Sequence, residues 1–180
     1  MAPIRDRFGR PITGLRISVT RRCNLNCIYC HMEGEAKAPG AELEPREIAL
    51  ICEAAASLGI SKVKLTGGEP LLRADICEIV SRIKAIRGIS EVSMSTNGTL
   101  LAKLARDLKA SGLDRVNVSL DTLRPDVYRR IAGADRLSDA IEGVRAAAEE
   151  GLRPLKINMV VLRGLNDGEL WELSLIHISE

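Results

Sequence analysis

Three of the chain's five cysteines fall within eight residues, Cys23-Asn24-Leu25-Asn26-Cys27-Ile28-Tyr29-Cys30. Thiolates spaced by three and then two residues suit a soft metal centre, either zinc or an iron–sulfur cluster. Three is an odd number and no secretory signal precedes it, so a disulfide framework is a poor reading. Three protein ligands leave a fourth coordination position open, which usually serves chemistry rather than support. A structural zinc site completed by a distant ligand or by His31 remains the alternative at this point. Aromatic residues are only 2% of the chain, and one of them, Tyr29, lies between two of these thiols.

The elements that must position this segment are legible from periodicity. The chain has 180 residues, 46% apolar and 28% charged, the composition of one globular domain or part of a larger one. A net charge of +2 makes no electrostatic case for nucleic acid or a membrane surface. No apolar run approaches the roughly 20 residues that span a bilayer. The polar start lacks a signal peptide, and with the free thiols this points to the cytoplasm. Strands are predicted over 15–20, 62–66, 91–96, 115–120 and 154–161. Helices are predicted from Glu44-Pro45 to Gly59, over 74–87, from about Leu101 to Gly112, over 125–131 and 137–150, and after Asn166. The apolar stripe of the first helix reads Ile48, Ile51, Cys52, Ala55 and Leu58. Cys52 and Cys77 read as packed thiols.

Alternating strands and helices argue for a parallel α/β sheet. Covered parallel strands usually read as continuous apolar runs, yet each of these has one polar face. Arg16 and Ser18, Lys62 and Lys64, Ser93 and Ser95, Arg115, Asn117 and Ser119, and Lys156 and Asn158 share it. The simplest arrangement is a partial (β/α) barrel of about five βα units, helices outside and a polar lumen inside. A closed barrel would fill that interior with apolar side chains, and solvent exposure of the polar face, as in an antiparallel sheet, is the competing reading. The loops after the C-terminal strand ends then share one rim. That rim collects the cysteine segment, Gly67-Gly68-Glu69-Pro70, Asn97-Gly98 and Asp121-Thr122.

Cys-x3-Cys-x2-Cys after the first strand, with Gly-Gly-Glu-Pro after the second, resembles the radical S-adenosylmethionine superfamily. Asp6–Arg10, Leu15–Thr20, Thr66–Arg73, Ser95–Gly98 and Asn117–Asp121 are similar to the GTP 3',8-cyclase family, which opens molybdenum-cofactor biosynthesis. The resemblance implies that Cys23, Cys27 and Cys30 hold a [4Fe–4S] cluster whose open iron takes S-adenosylmethionine. It further implies cofactor contacts from Tyr29, Gly67, Gly68, Glu69 and Ser119. GTP contacts fall on Arg16, Lys64, Ser95 and Lys156, all on the polar face already derived from alternation. Lys64 stands where many members carry arginine, which keeps charge but loses bidentate geometry. Ser95 replaces the commoner threonine. The implied reaction removes hydrogen from C3' of the GTP ribose, closes the sugar on guanine C8 and yields 3',8-cyclo-7,8-dihydro-GTP.

The resemblance also brings partners: a reductant protein, a downstream cyclic pyranopterin monophosphate synthase and a possible homodimer. The family continues with a sixth strand, a second three-cysteine cluster for another [4Fe–4S] centre and further GTP-binding arginines. These are not found here, so cyclisation by this chain alone is not expected. Residues 1–172 read as an incomplete core. Residues 173–180, Leu173 to Glu180, resemble a translated sequencing adapter and are set apart from fold reasoning. His177 is therefore no ligand candidate, and His31 reads as a loop residue. A peptide-modifying member of the superfamily and a zinc-binding module are the competing functions.

Overall fold

A computed structural model describes residues 4–30 and 42–175. Five strands pair in parallel and in sequence order: β1 (Gly14–Ser18), β2 (Lys62–Thr66), β3 (Glu91–Thr96), β4 (Arg115–Ser119) and β5 (Lys156–Asn158). Helices α1 (Pro45–Ser57), α2 (Ile76–Lys84), α3 (Leu101–Ala110), α4 (Pro125–Ala132), α5 (Leu137–Glu149) and α6 (Leu170–Leu175) fill the connections. The order β1-β2-β3-β4-β5 is that of successive units around a (β/α) barrel, of which this is an arc.

Local chemistry accounts for the helix starts. Glu44 caps α1 in a reciprocal capping box with Glu47, and Pro45 takes the first helical position, where its missing N–H is not needed. Pro125 does the same for α4. One sheet face and the helices facing it form a continuous core. Val63, Leu65, Val92, Met94, Val116 and Val118 meet Ile48, Ile79, Ile83, Leu101 and Leu108, all fully buried.

Strand register places the polar residues side by side. Arg16 pairs with Lys64, Lys64 with Ser93 and Ser93 with Arg115. One pleat further, Ser95 pairs with Asn117 and Asn117 with Lys156; then Ser119 pairs with Asn158. Register partners share a sheet face, so the polar face inferred from alternation is continuous across β1 to β5.

Three expectations need correction. The last strand spans Lys156–Asn158 rather than 154–161. The Val160 N–H turns away to Asp121 Oδ1, and Asn166 Nδ2 bridges the carbonyls of Asp121 and Val160. Side-chain bonds thus end the ladder that the apolar alternation seemed to continue. Ile51 and Leu58 of α1 are exposed, at 44% and 40%. Helix α1 packs beside α2 at the β1–β2 end of the sheet, and its buried residues are Ile48 and Cys52. Helix α2 starts at Ile76 and stops at Lys84, inside the predicted 74–87. Cys77 is partly buried against the core.

Leu173, in the segment set apart at the chain's end, is buried with Leu120, Tyr128, Ala132, Leu137 and Ala140. Residues 176–180 and His31 lie outside the described residues, as does most of the loop predicted over 33–43.

Candidate cluster and nucleotide site

The chain leaves β1 held at both sides. Buried Arg73 donates through Nη1 to the Val19 carbonyl at 2.9 Å and forms a two-point ion pair with Asp75 at 2.8 and 2.6 Å. Glu42 accepts from Arg22 at 3.1 and 3.2 Å and from the Thr20 hydroxyl. The Gly67-Gly68 turn then packs on the same backbone. Gly68 N–H donates to Thr20 O at 2.8 Å and Glu69 N–H to Arg22 O at 2.7 Å. A Cβ on Gly68 would lie 2.3 Å from Arg22 O, and one on Gly67, at φ +155, 2.5 Å from Thr20 O. Only glycine permits this approach, so the two motifs found separately in the sequence are locked together just before Cys23.

The cysteine loop is pinned from three further directions. Asn24 donates to Thr99 Oγ1 at 2.9 Å and accepts from Asn97 Nδ2 at 2.8 Å. Asn26 and Ile28 donate their N–H groups to the last carbonyls of α4, Ala132 O and Ile131 O, each at 2.9 Å. Tyr29 donates its hydroxyl to Asp121 Oδ2 at 2.6 Å. Glu69 is buried, with Oε1 accepting from Leu71 N–H and the Thr96 hydroxyl and Oε2 from Asn97 N–H. It faces the fold, while the exposed backbone of Gly67 and Gly68 faces the rim.

Cys23 and Cys30 are exposed and Cys27 is half-buried, all three as free thiols. Burial raises the Cys23 pKa, with smaller contributions from Glu69 and Cys30. Burial, then the charges of Asp121, Cys23 and Cys30, push Cys27 up to about 11. Tyr29 is raised by burial and by its bond to Asp121. Burial is the first cause for both Cys23 and Cys27, and it disfavours their thiolate forms in the absence of a bound cation. Among the described residues no trio of His, Cys, Asp or Glu stands at metal-binding separation. The donor set nevertheless fits an iron–sulfur cluster: three free thiols in one pinned loop, the soft ligands that such a centre takes.

Below the loop the polar face carries Arg16, Lys64, Arg115 and Lys156. Burial first, then Arg16, Arg115 and Lys156, lower the Lys64 pKa. Glu91 pairs with Arg115 at 2.8 Å. The excess of positive charge suits a polyanion. Ser95 is half-buried and Ser119 exposed on this face. The structure thus brings Arg16, Lys64, Ser95, Ser119 and Lys156 to one surface, with Tyr29, Gly67 and Gly68 at its rim. Sequence reasoning missed Asn24, Thr96, Asn97 and Thr99 as loop anchors and Glu69 as the acceptor for Thr96 and Asn97. A carboxylate set between two glycines and a proline, Gly67-Gly68-Glu69-Pro70, was the available signal for the last.

The Radical SAM superfamily profile matches residues 17–174. A protein of Thermococcus kodakarensis named probable GTP 3',8-cyclase is 53% identical over 168 residues, covering 93% of this chain and 54% of that protein. A namesake from Methanothermobacter thermautotrophicus is 50% identical, covering 94% of this chain and 55% of its own length. The chain thus spans about half the length of the curated relatives it matches. Among solved structures, Streptococcus suis SuiB bound to its precursor peptide superposes with a TM-score of 0.75 at 21% identity, over 92% of this chain and 37% of SuiB. Methylornithine synthase gives a TM-score of 0.71 at 22% identity, over 93% of this chain and 50% of the synthase. These two show the shared fold. The superfamily's cofactors are a [4Fe–4S] cluster and S-adenosylmethionine. On the profile match over most of its length, the chain belongs to the radical SAM superfamily.

Proposed function

We propose that this chain is the cofactor- and nucleotide-binding half of a GTP 3',8-cyclase, acting in the first step of molybdenum-cofactor biosynthesis. Cys23, Cys27 and Cys30 hold the cluster. Tyr29, Gly67, Gly68, Glu69 and Ser119 form the S-adenosylmethionine side, Glu69 by fixing the turn that its carboxylate braces. Arg16, Lys64, Ser95 and Lys156 bind GTP. When bound, the cluster and S-adenosylmethionine supply a reductively generated carbon radical strong enough to take hydrogen from an unactivated C–H bond.

The protein's part is positional. The cations would hold the triphosphate on the polar face and so bring the ribose toward the rim that carries the three cysteines. The apolar helix layer closes the opposite face, and the hydrogen bonds that pin the loop would keep the three cysteines in place to hold the cluster. A reductant protein supplies electrons, and the product passes to a cyclic pyranopterin monophosphate synthase. The observation that carries the nucleotide assignment is the gathering of cations on one sheet face beneath the cysteine loop: Arg16 beside Lys64, Arg115 across Ser93 on the same pleat, and Lys156 one pleat nearer the rim. Relatives near 50% identity that are named probable GTP 3',8-cyclase support it.

Equilibrium binding of GTP to the anaerobically purified chain tests the reading. Arg16→Ala and Lys156→Ala are each expected to weaken GTP about tenfold, the loss of one charge-assisted contact. Absence of measurable GTP binding in the unmodified chain would contradict it. Besides Cys23, Cys27 and Cys30 the chain has Cys52 and Cys77, which pack in α1 and α2. With GTP, S-adenosylmethionine and reductant it is expected to release 5'-deoxyadenosine without cyclised nucleotide, as read by mass spectrometry.

A further inference from the structure

Among the described residues, one buried polar side chain on the lumen face has an unpaired atom. Asn117 is 7% exposed, yet its Oδ1 is buried without a hydrogen bond among the described residues. Every other buried polar side chain at the rim is engaged: Glu69, Arg73, Thr96 and Thr122 each hold named partners. A buried carboxamide left unpaired is costly and a natural core would replace it with an apolar residue. Such a group on a ligand-facing surface is a waiting contact.

Its neighbours say for what. On β4, Arg115 lies two residues deeper and Ser119 two residues nearer the rim. Register sets Asn117 between Ser95 and Lys156. The deeper pleat, Arg16–Lys64–Ser93–Arg115, holds cations for phosphate. One pleat is about 6.6 Å along a strand, close to the step from a nucleotide's α-phosphate to its sugar hydroxyls. Phosphate oxygens only accept hydrogen bonds. The first donors met on leaving the triphosphate are the ribose hydroxyls, and Asn117 offers them an acceptor. We propose that Asn117 is a substrate-binding residue that accepts a hydrogen bond from a ribose hydroxyl of the bound nucleoside triphosphate and orients the sugar toward the rim.

This rests on the nucleotide reading above, and the experiment separates the two. Binding of GTP, 2'-deoxy-GTP and 3'-deoxy-GTP is measured on the unmodified chain and on Asn117→Ala, Asn117→Ser and Arg16→Ala. The unmodified chain is expected to bind one deoxy analogue about tenfold more weakly than GTP, one hydrogen bond's worth. Asn117→Ala should bind GTP about as weakly as that analogue and lose the discrimination. Arg16→Ala should weaken all three ligands alike and keep it. Asn117→Ser guards against a folding failure in the alanine variant, and a cooperative thermal melt of each without ligand checks that it is folded. Full ribose discrimination retained in either Asn117 variant would overturn the proposal while leaving the nucleotide reading intact. No GTP binding by the unmodified chain would remove both.

Discussion

Both carboxylate oxygens of Glu69 are occupied, by Leu71 N–H and the Thr96 hydroxyl at Oε1 and by Asn97 N–H at Oε2. Burial raises its pKa against these bonds. Glu69→Gln would set an NH2 group against the Asn97 or Leu71 N–H, donor facing donor. A loss of about 1–3 kcal/mol in urea unfolding is expected, and an unchanged midpoint would show the acceptor is not needed. The thiols carry a second residue-level consequence. A metal must displace the thiol proton, and burial and neighbouring charge hold Cys27 up near about 11. Cluster assembly should therefore be more complete at pH 8.5 than at pH 6.5, as iron and sulfide per chain after identical reconstitution. Equal loading at both would place the thiol pKa values elsewhere.

At the scale of elements, the Gly67-Gly68 turn and the exit from β1 form one unit. Gly68→Ala drives a Cβ to 2.3 Å from the Arg22 carbonyl and 2.7 Å from that of Arg21. The backbone cannot yield as a flexible side chain would, so a loss of about 1–3 kcal/mol is expected. Iron loading should fall as well, because the displaced strand leads directly into Cys23. Normal loading in a folded Gly68→Ala chain would show the turn does not set the loop. The same scale shows what the sequence can and cannot reveal. Strands β2 and β3 have the bounds that alternation predicts, because their apolar residues all face one fully buried layer. Strand β5 stops early because Asp121 and Asn166, distant in sequence, capture its next backbone groups. Alternation in Met159-Val160-Val161 carries no trace of that competition. The cysteine and glycine motifs were each readable, but not that Gly68 packs on Arg22 or that Asn24 is tied to Thr99, since those contacts join separate loops.

For the whole molecule, the helix layer satisfies one sheet face and leaves the other to its charges. Burial and the neighbouring cations depress Lys64 below the usual lysine value of 10.5. Between its folded and unfolded pKa values the unfolded chain binds more protons, so stability should rise with pH there. Thermal melts of the ligand-free chain against Lys64→Met should show this alkaline gain only in the parent, and GTP should remove it by supplying the missing anion. A gain of equal size in Lys64→Met would assign it to another group. The central claim is that Cys23, Cys27 and Cys30 bind a cluster that cleaves S-adenosylmethionine. Its most direct measurement is anaerobic reconstitution followed by iron and sulfide analysis and by assay of 5'-deoxyadenosine with S-adenosylmethionine and dithionite. The account predicts close to four irons and four sulfides per chain, the count of one [4Fe–4S] cluster, with 5'-deoxyadenosine released and both lost when the three cysteines become alanine. Zinc without labile sulfide, or iron and cleavage that survive the triple substitution, would contradict it.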